Sequence, residues 1–204
     1  MPTTLAPEQR NAFCRLADLK NEAAVERNLV DRLLEALGFT DRQICLKSSL
    51  EEIAVGKARG RKESLYRPDY ALKVGLRVKC VIEAKAPDER LEDWIFQPKE
   101  YVSFLNGQYP TGVNPVSFFV LTNGLRTLLF RSDHNDPILT LNFSDLKFDG
   151  VKYKKLFSLI SPNALTAGDK VGEETFELTK PSIDEINTIF AKCHQYIHVK
   201  EGLS

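Results

Sequence analysis

The stretch Tyr66 to Lys85, YRPDYALKVGLRVKCVIEAK, limits the fold more than any other part of the chain. Tyr70, Leu72 and Val74 alternate with Asp69, Ala71 and Lys73, which is the period of a half-buried strand. RVKCVIEAK is a second strand of similar length, and Gly75 between the two permits a tight reversal. The pair predicts an antiparallel hairpin, so any architecture for this chain must contain a sheet.

The flanking sequence predicts what covers that sheet. NEAAVERNLVDRLLEALGF sets Val25, Leu29, Leu33 and Leu37 at helical spacing, with Val30 and Leu34 beside them and Gly38 as the stop. ICLKSSL reads as a short strand, and EEIAVGKARGRKESLYR reads as a polar, mobile loop carrying Lys57, Arg59, Arg61, Lys62 and Arg67. After the hairpin, DERLEDWIFQPKEYVSFLN has helical spacing, with the better helix expected after Pro98. VSFFVLT and LRTLLFRS flank Asn123-Gly124, a pair suited to a type I′ hairpin turn. The first of these arms is apolar on both faces, as in a central strand covered on each side. The fold class expected is α/β, a mixed central β-sheet flanked by helices. Residues 132–181 are less regular, with one helix around VKYKKLFSLI, and a further helix capped by Ser182 with Glu185 follows. The division expected is a main domain over 1–150 and a helical C-terminal extension, or linker to a further module, over 151–204.

Composition removes several function classes. With 43% hydrophobic and 27% charged residues and no apolar run near 20 residues, the chain reads as globular, and its N-terminus lacks the pattern of a secretion signal, so the cytoplasm is expected. Cys14, Cys45, Cys80 and Cys193 form no CxxC pair and read as thiols rather than as a zinc ribbon or disulfide framework. His194 and His198 beside Cys193 lack a third well-placed zinc ligand. No GxxxxGK[ST] loop occurs, so no nucleotide-driven motor of that type is present. The 28 basic and 28 acidic residues cancel, so any attraction to nucleic acid must come from a local patch such as the basic loop.

Chemistry concentrates on the hairpin. Glu83 and Lys85 are two residues apart on one strand and share a face, and Asp69 can join them from the neighbouring strand. Two converging carboxylates repel unless a hard, oxygen-preferring divalent cation lies between them, and magnesium is the natural occupant. An adjacent ammonium can orient an attacking water and counter charge developing on a phosphate.

Pro68-Asp69, followed after 13 residues by Glu83-Ala84-Lys85, resembles the PD-(D/E)xK nuclease motif. That resemblance implies a restriction-endonuclease-like core. It implies Asp69 and Glu83 as metal ligands, the Ala84 carbonyl as a further ligand, and Lys85 as the residue that assists water attack. Mg2+ is the cofactor expected, with Mn2+ able to substitute. Gln97 and Tyr101 match a QxxxY element found downstream of the motif in several nuclease families, where the pair positions DNA. Tyr101 as plain core is the competing reading, and Pro98 interrupts the element. Glu22 and Glu26, four apart on the opening helix, each resemble the additional acidic member of such sites, and the sequence leaves the choice open. NEAAVERNLVDRLLEALGF, YRPDYAL, VIEAKAP, QPKEY and FFVLTNG occur in the order seen in the N-terminal domain of type I restriction enzyme R subunits, a likeness spanning about residues 20–130. The tail resembles the junction to an adenine-specific methyltransferase in fused restriction-modification proteins.

The function expected is therefore a Mg2+-dependent DNA endonuclease domain of a restriction-modification system. A methyltransferase, specificity or translocase module would accompany it in the same polypeptide or complex. The alternative is a catalytically silent DNA-binding or subunit-interaction module on a nuclease-like fold.

Overall fold

The computed structural model describes residues 9–55 and 64–173. Two compact units divide the chain, Met1–Gly168 and Asp169–Ser204, and the second is described only at 169–173.

The opening helix forms where its apolar spacing predicts. The Asn21 side chain accepts the Ala24 N–H at 2.9 Å and starts α1 (Glu22–Val25). A π-helical turn (Glu26–Val30) and α2 (Asp31–Leu37) continue it, and Gly38, at φ 93°, ends it in the left-handed conformation that favours glycine. Val25, Leu29, Val30, Leu33, Leu34 and Leu37 are all buried, each stabilising the fold by about 1.5–3 kcal/mol relative to exposure.

These residues cover one face of a six-stranded sheet. Its strands are β1 (Ile44–Leu46), β4 (Tyr70–Val74), β5 (Arg77–Ala84), β6 (Phe118–Thr122), β7 (Arg126–Arg131) and β8 (Leu139–Asn142), in that spatial order. Neighbours pair antiparallel except β5 and β6, which are parallel and joined through α3 (Phe96–Gly107). The sheet is therefore mixed and flanked by helices, the α/β architecture expected of a restriction-endonuclease-like core. Strand parity splits β5 between two apolar layers. Cys80, Ile82 and Ala84 join the layer of the opening helix, while Val81 joins Tyr101, Val102, Phe119 and Phe130 on the α3 side. Glu83 and Lys85 share the parity of Val81. Because β6 sits centrally, Phe119, Val120 and Leu121 are buried on both faces, as its unbroken apolar run predicted.

Several features differ from expectation. The segment expected to be a polar loop has strands at its ends, β2 (Ile53–Val55) pairing antiparallel with β3 (Ser64–Tyr66). Residues expected to be irregular include β8, which completes the edge of the sheet, and α5 (Pro162–Glu173). Helix α3 starts before Pro98, which falls in its first turn, where the missing N–H forfeits no intrahelical bond. The β6–β7 turn lies one residue further along than a type I′ turn centred on Asn123-Gly124. The Asn123 N–H donates to the Arg126 carbonyl, so Gly124 and Leu125 form the corners. The reason is the Asn123 side chain, whose Oδ1 accepts the N–H groups of Leu125 and Arg126 at 3.1 and 2.9 Å.

Helix α4 (Val151–Ile160) forms as predicted, but Tyr153, Leu156 and Ile160 are buried in the same apolar layer as the opening helix. Residues 151–168 thus belong with the sheet, beyond the boundary expected at 150. Cys14 and Cys80 are buried, Cys45 is half-buried, and all three are free thiols. Lys57, Arg59, Arg61 and Lys62 of the basic loop, the helix expected after Ser182, and Cys193, His194 and His198 lie outside the described residues. Among the described residues no helix is long and apolar enough to cross a membrane.

Candidate active site

The register of β4 and β5 pairs Tyr70 with Ile82, so Asp69, one residue earlier, falls across from Glu83 at one end of the sheet. The Ala84 N–H donates to Asp69 Oδ2 at 2.8 Å, which fixes the carboxylate against the strand that carries Glu83. Asp69 Oδ1 accepts Lys47 Nζ at 2.9 Å, and the Lys47 N–H donates to the Asp69 carbonyl, also at 2.9 Å. Lys47 reaches this point because β1 pairs with β4 in the register Leu46 to Tyr70, so the next residue meets Asp69.

Glu83 is held differently. Its Oε1 accepts Lys85 Nζ in a short ion pair, and its Oε2 accepts the Tyr66 hydroxyl at 2.8 Å. Lys85 Nζ lies 3.8 Å from Glu22 Oε2 and sits over the Trp94 ring, 4.7 Å from its centre. The Lys85 N–H donates to the Thr122 carbonyl at 2.8 Å, so β6 sets the height of this residue. Asp69, Glu83 and Lys85 are all buried. Three charges together inside a protein are tolerable only because each is paired and hydrogen-bonded.

Helix α1 and the π-helical turn bring two more acids. One carboxylate oxygen from each of Glu22, Glu26 and Asp69 lies within 4.8 Å of the other two. Both glutamates therefore meet Asp69. This gathering has an electrostatic cost. Burial, then the charges of Asp69 and Glu22, raise the Glu26 carboxyl above its ordinary range. Burial and Asp69 push Glu83 up to about 7, against the lowering effects of Lys85 and Tyr66. Burial opposes the charge on Lys47, but the hydrogen bond and charge of Asp69, with Glu83 and Glu22, outweigh it and raise the ammonium's pKa.

A hard divalent cation fits this donor set. Glu22, Glu26 and Asp69 offer oxygen alone, and a cation among them would relieve the repulsion that lifts Glu26. Glu83 stands beside that group with both oxygens engaged, and Ala84 commits its N–H to Asp69.

Gln97 and Tyr101 lie one turn apart on α3. Gln97 is half-buried. Tyr101 is buried, donates its hydroxyl to the Glu51 carbonyl at 3.0 Å, and packs its ring edge-on to Tyr66 at 6.0 Å. Its link to the site runs through Tyr66. The only described member of the expected basic loop, Arg67, pairs with Glu52 at 3.1 Å.

Lys47, Tyr66 and Trp94 are site residues that the sequence analysis did not single out. Lys47 could have been found by pairing ICL with YAL and counting one residue on. Tyr66 and Trp94 carry no spacing signal that separates them from ordinary core aromatics.

No family model matches the sequence, and no curated protein matches it. Among solved structures, the chain is similar to one in a cryo-EM structure of a DrdV–DNA complex. The TM-score is 0.41 and the identity 17%, over 71% of this chain and 12% of that one. The present chain thus corresponds to a small part of that protein's length.

Proposed function

We propose that this chain is a DNA endonuclease domain of a restriction-modification system, hydrolysing phosphodiester bonds with Mg2+, for which Mn2+ can substitute. The observation that carries the reading is the convergence of Glu22, Glu26, Asp69, Glu83 and Lys85, from one helix and two strands, on one end of the sheet. Asp69, Glu22 and Glu26 would hold the cation, with Glu83 and the Ala84 carbonyl alongside. Bound there, the metal would supply Lewis acidity toward a phosphate oxygen and a more acidic water. The chain's own residues do the rest. Glu83 and Trp94 hold the Lys85 ammonium where it can orient a water and counter charge developing on the phosphate. Tyr66 pins the far oxygen of Glu83, and Tyr101 backs Tyr66, so the role proposed for Tyr101 is support of the carboxylate rather than contact with DNA. Because no phosphate-loop motor occurs in the sequence, cleavage is proposed to depend on a translocase, methyltransferase or specificity module, acting in the cytoplasm.

The test is nicking of supercoiled DNA with Mg2+ or Mn2+ by the full assembly, alongside calorimetric titration of Mn2+ into the chain. Asp69→Ala should lose both metal binding and cleavage. Lys85→Ala should cut cleavage by about a hundredfold or more while metal still binds. Full activity in Lys85→Ala would overturn the nuclease reading in favour of a silent DNA-binding or subunit-interaction module.

A further inference from the structure

Two ammonium groups enter this cluster, and they are held in unlike ways. Lys85 is 9% exposed and is fixed by Glu83 and by the Trp94 ring. Lys47 is 53% exposed, and its side chain touches the site through Asp69 Oδ1. Asp69 itself is 2% exposed, so water cannot relieve its charge, and its other oxygen is committed to the Ala84 amide. Oδ1 is the oxygen left free of the backbone amide, and Lys47 Nζ stands on it.

We propose that Lys47 is the resident counter-cation of the acidic cluster and competes with the divalent cation for Asp69. The inference rests on the metal reading above. An ammonium and a divalent ion cannot both sit against one carboxylate oxygen without strong like-charge repulsion, so metal uptake is an exchange in which the ammonium leaves. The local backbone allows that exit. The Lys47 N–H stays on the Asp69 carbonyl, so the residue keeps its place while its half-exposed side chain swings into water. Lys85 has no such route, because moving it would strip Glu83 of its partner inside the protein. Lys47 thus sets how much metal the site demands before it loads, and in the metal-free fold it offsets part of the negative charge gathered at Glu22, Glu26 and Asp69.

The experiment titrates Mn2+ calorimetrically into the full chain as wild type, Lys47→Met, Lys47→Gln, Lys47→Arg and Asp69→Asn. The two neutral variants should bind Mn2+ roughly tenfold more tightly, as expected for removing one charge a few ångströms from the ion. Lys47→Arg should match wild type. In EDTA the neutral variants should melt lower than wild type, and Mn2+ should raise their melting temperature by more. Either neutral variant suffices if the other fails to fold. Affinities within twofold of wild type in the neutral variants, with binding lost in Asp69→Asn, overturn the role of Lys47 and leave the metal reading standing. Absence of binding in every protein overturns both.

Discussion

The β4–β5 and β6–β7 hairpins lie side by side in the central sheet, joined by the parallel pairing of β5 with β6, and their turns point to opposite ends of it. The turn of the first, away from the site, is loose. Gly75 has φ 61° with nothing near the place of a Cβ, and Leu76 is 98% exposed. The turn of the second, at the site end, is packed. Gly124 has φ 82°, and a Cβ there would come within 2.7 Å of Leu19 Cδ1 and 3.2 Å of Val25 Cγ2, the latter in α1 beside Glu22. The interiors are reversed. The first hairpin buries the charged Lys79 and Glu83 in its strands, and Asp69 and Lys85 at their ends, whereas the second buries Phe119, Val120, Leu121, Leu128, Leu129 and Phe130, with only the uncharged Thr122, Asn123 and Thr127 as buried polar residues. The hairpin that carries charge needs neighbours to supply partners. The apolar one holds the neighbouring helix and loop in register.

The sharpest test of that contrast is the pair of turn glycines, with Gly124 expected to show the largest effect. Gly124→Ala combines left-handed strain with a clash against Leu19, so unfolding in urea should show a loss of about 3 kcal/mol or more. A loss below about 1 kcal/mol would mean that the turn is not packed against the helix.

The second expectation concerns buried charge and is read in EDTA. Burial and Asp69 hold Glu83 near 7, above its unfolded value, so the native state binds the extra proton. The contribution of Glu83 to stability should therefore be fully present below about pH 4.5, be lost as pH rises through 7, and level off above, by on the order of 2 to 3 kcal/mol. Glu83→Gln should flatten this slope relative to wild type. Thr127→Val, in the apolar hairpin, should leave it in place.

Third, Asn123→Ala removes the acceptor for two turn amides and the donor to the Glu89 and Pro87 carbonyls, at 2.9 and 3.4 Å. A cost of about 1–2 kcal/mol is expected in denaturant unfolding. Cleavage should also fall, because the anchored loop leads from Lys85 to Trp94. The smallest effect is expected at the loose turn, where Gly75→Ala should cost about 1 kcal/mol through strain alone and leave cleavage unchanged. A larger loss there would erase the distinction between the two turns.

What the sequence made legible followed from short-range periodicity. Glu83 and Lys85 were readable because strand parity fixes their face, and Asp69 because one glycine turn brings it back to them. Glu22 and Glu26 were readable as a pair on one helical face, although their meeting with Asp69 depends on how that helix docks. Lys47 and Tyr66 reach Asp69 and Glu83 across 22 and 17 residues, through pairings that β1 acquires in the six-stranded sheet and β3 in the separate two-stranded sheet with β2. β8 was missed because four residues, LTLN, are too short for alternation to register. The turn at Asn123 was misplaced by one residue because its side chain takes over the bonding that a backbone carbonyl makes in a standard hairpin.

The π-helical turn at Glu26–Val30 has a consequence for helical phase. Its Asp31 N–H reaches back five residues to the Glu26 carbonyl, so the helix is under-wound there by a fraction of a turn. The acids lie at and before this under-wound segment, while Leu33, Leu34 and Leu37 anchor the helix after it. Winding these same residues evenly as α-helix, with none removed, would rotate Glu22 and Glu26 by about 100° relative to that anchor, given 3.6 residues per turn. The acids would then face away from Asp69 although every side chain in the cluster remained in the chain.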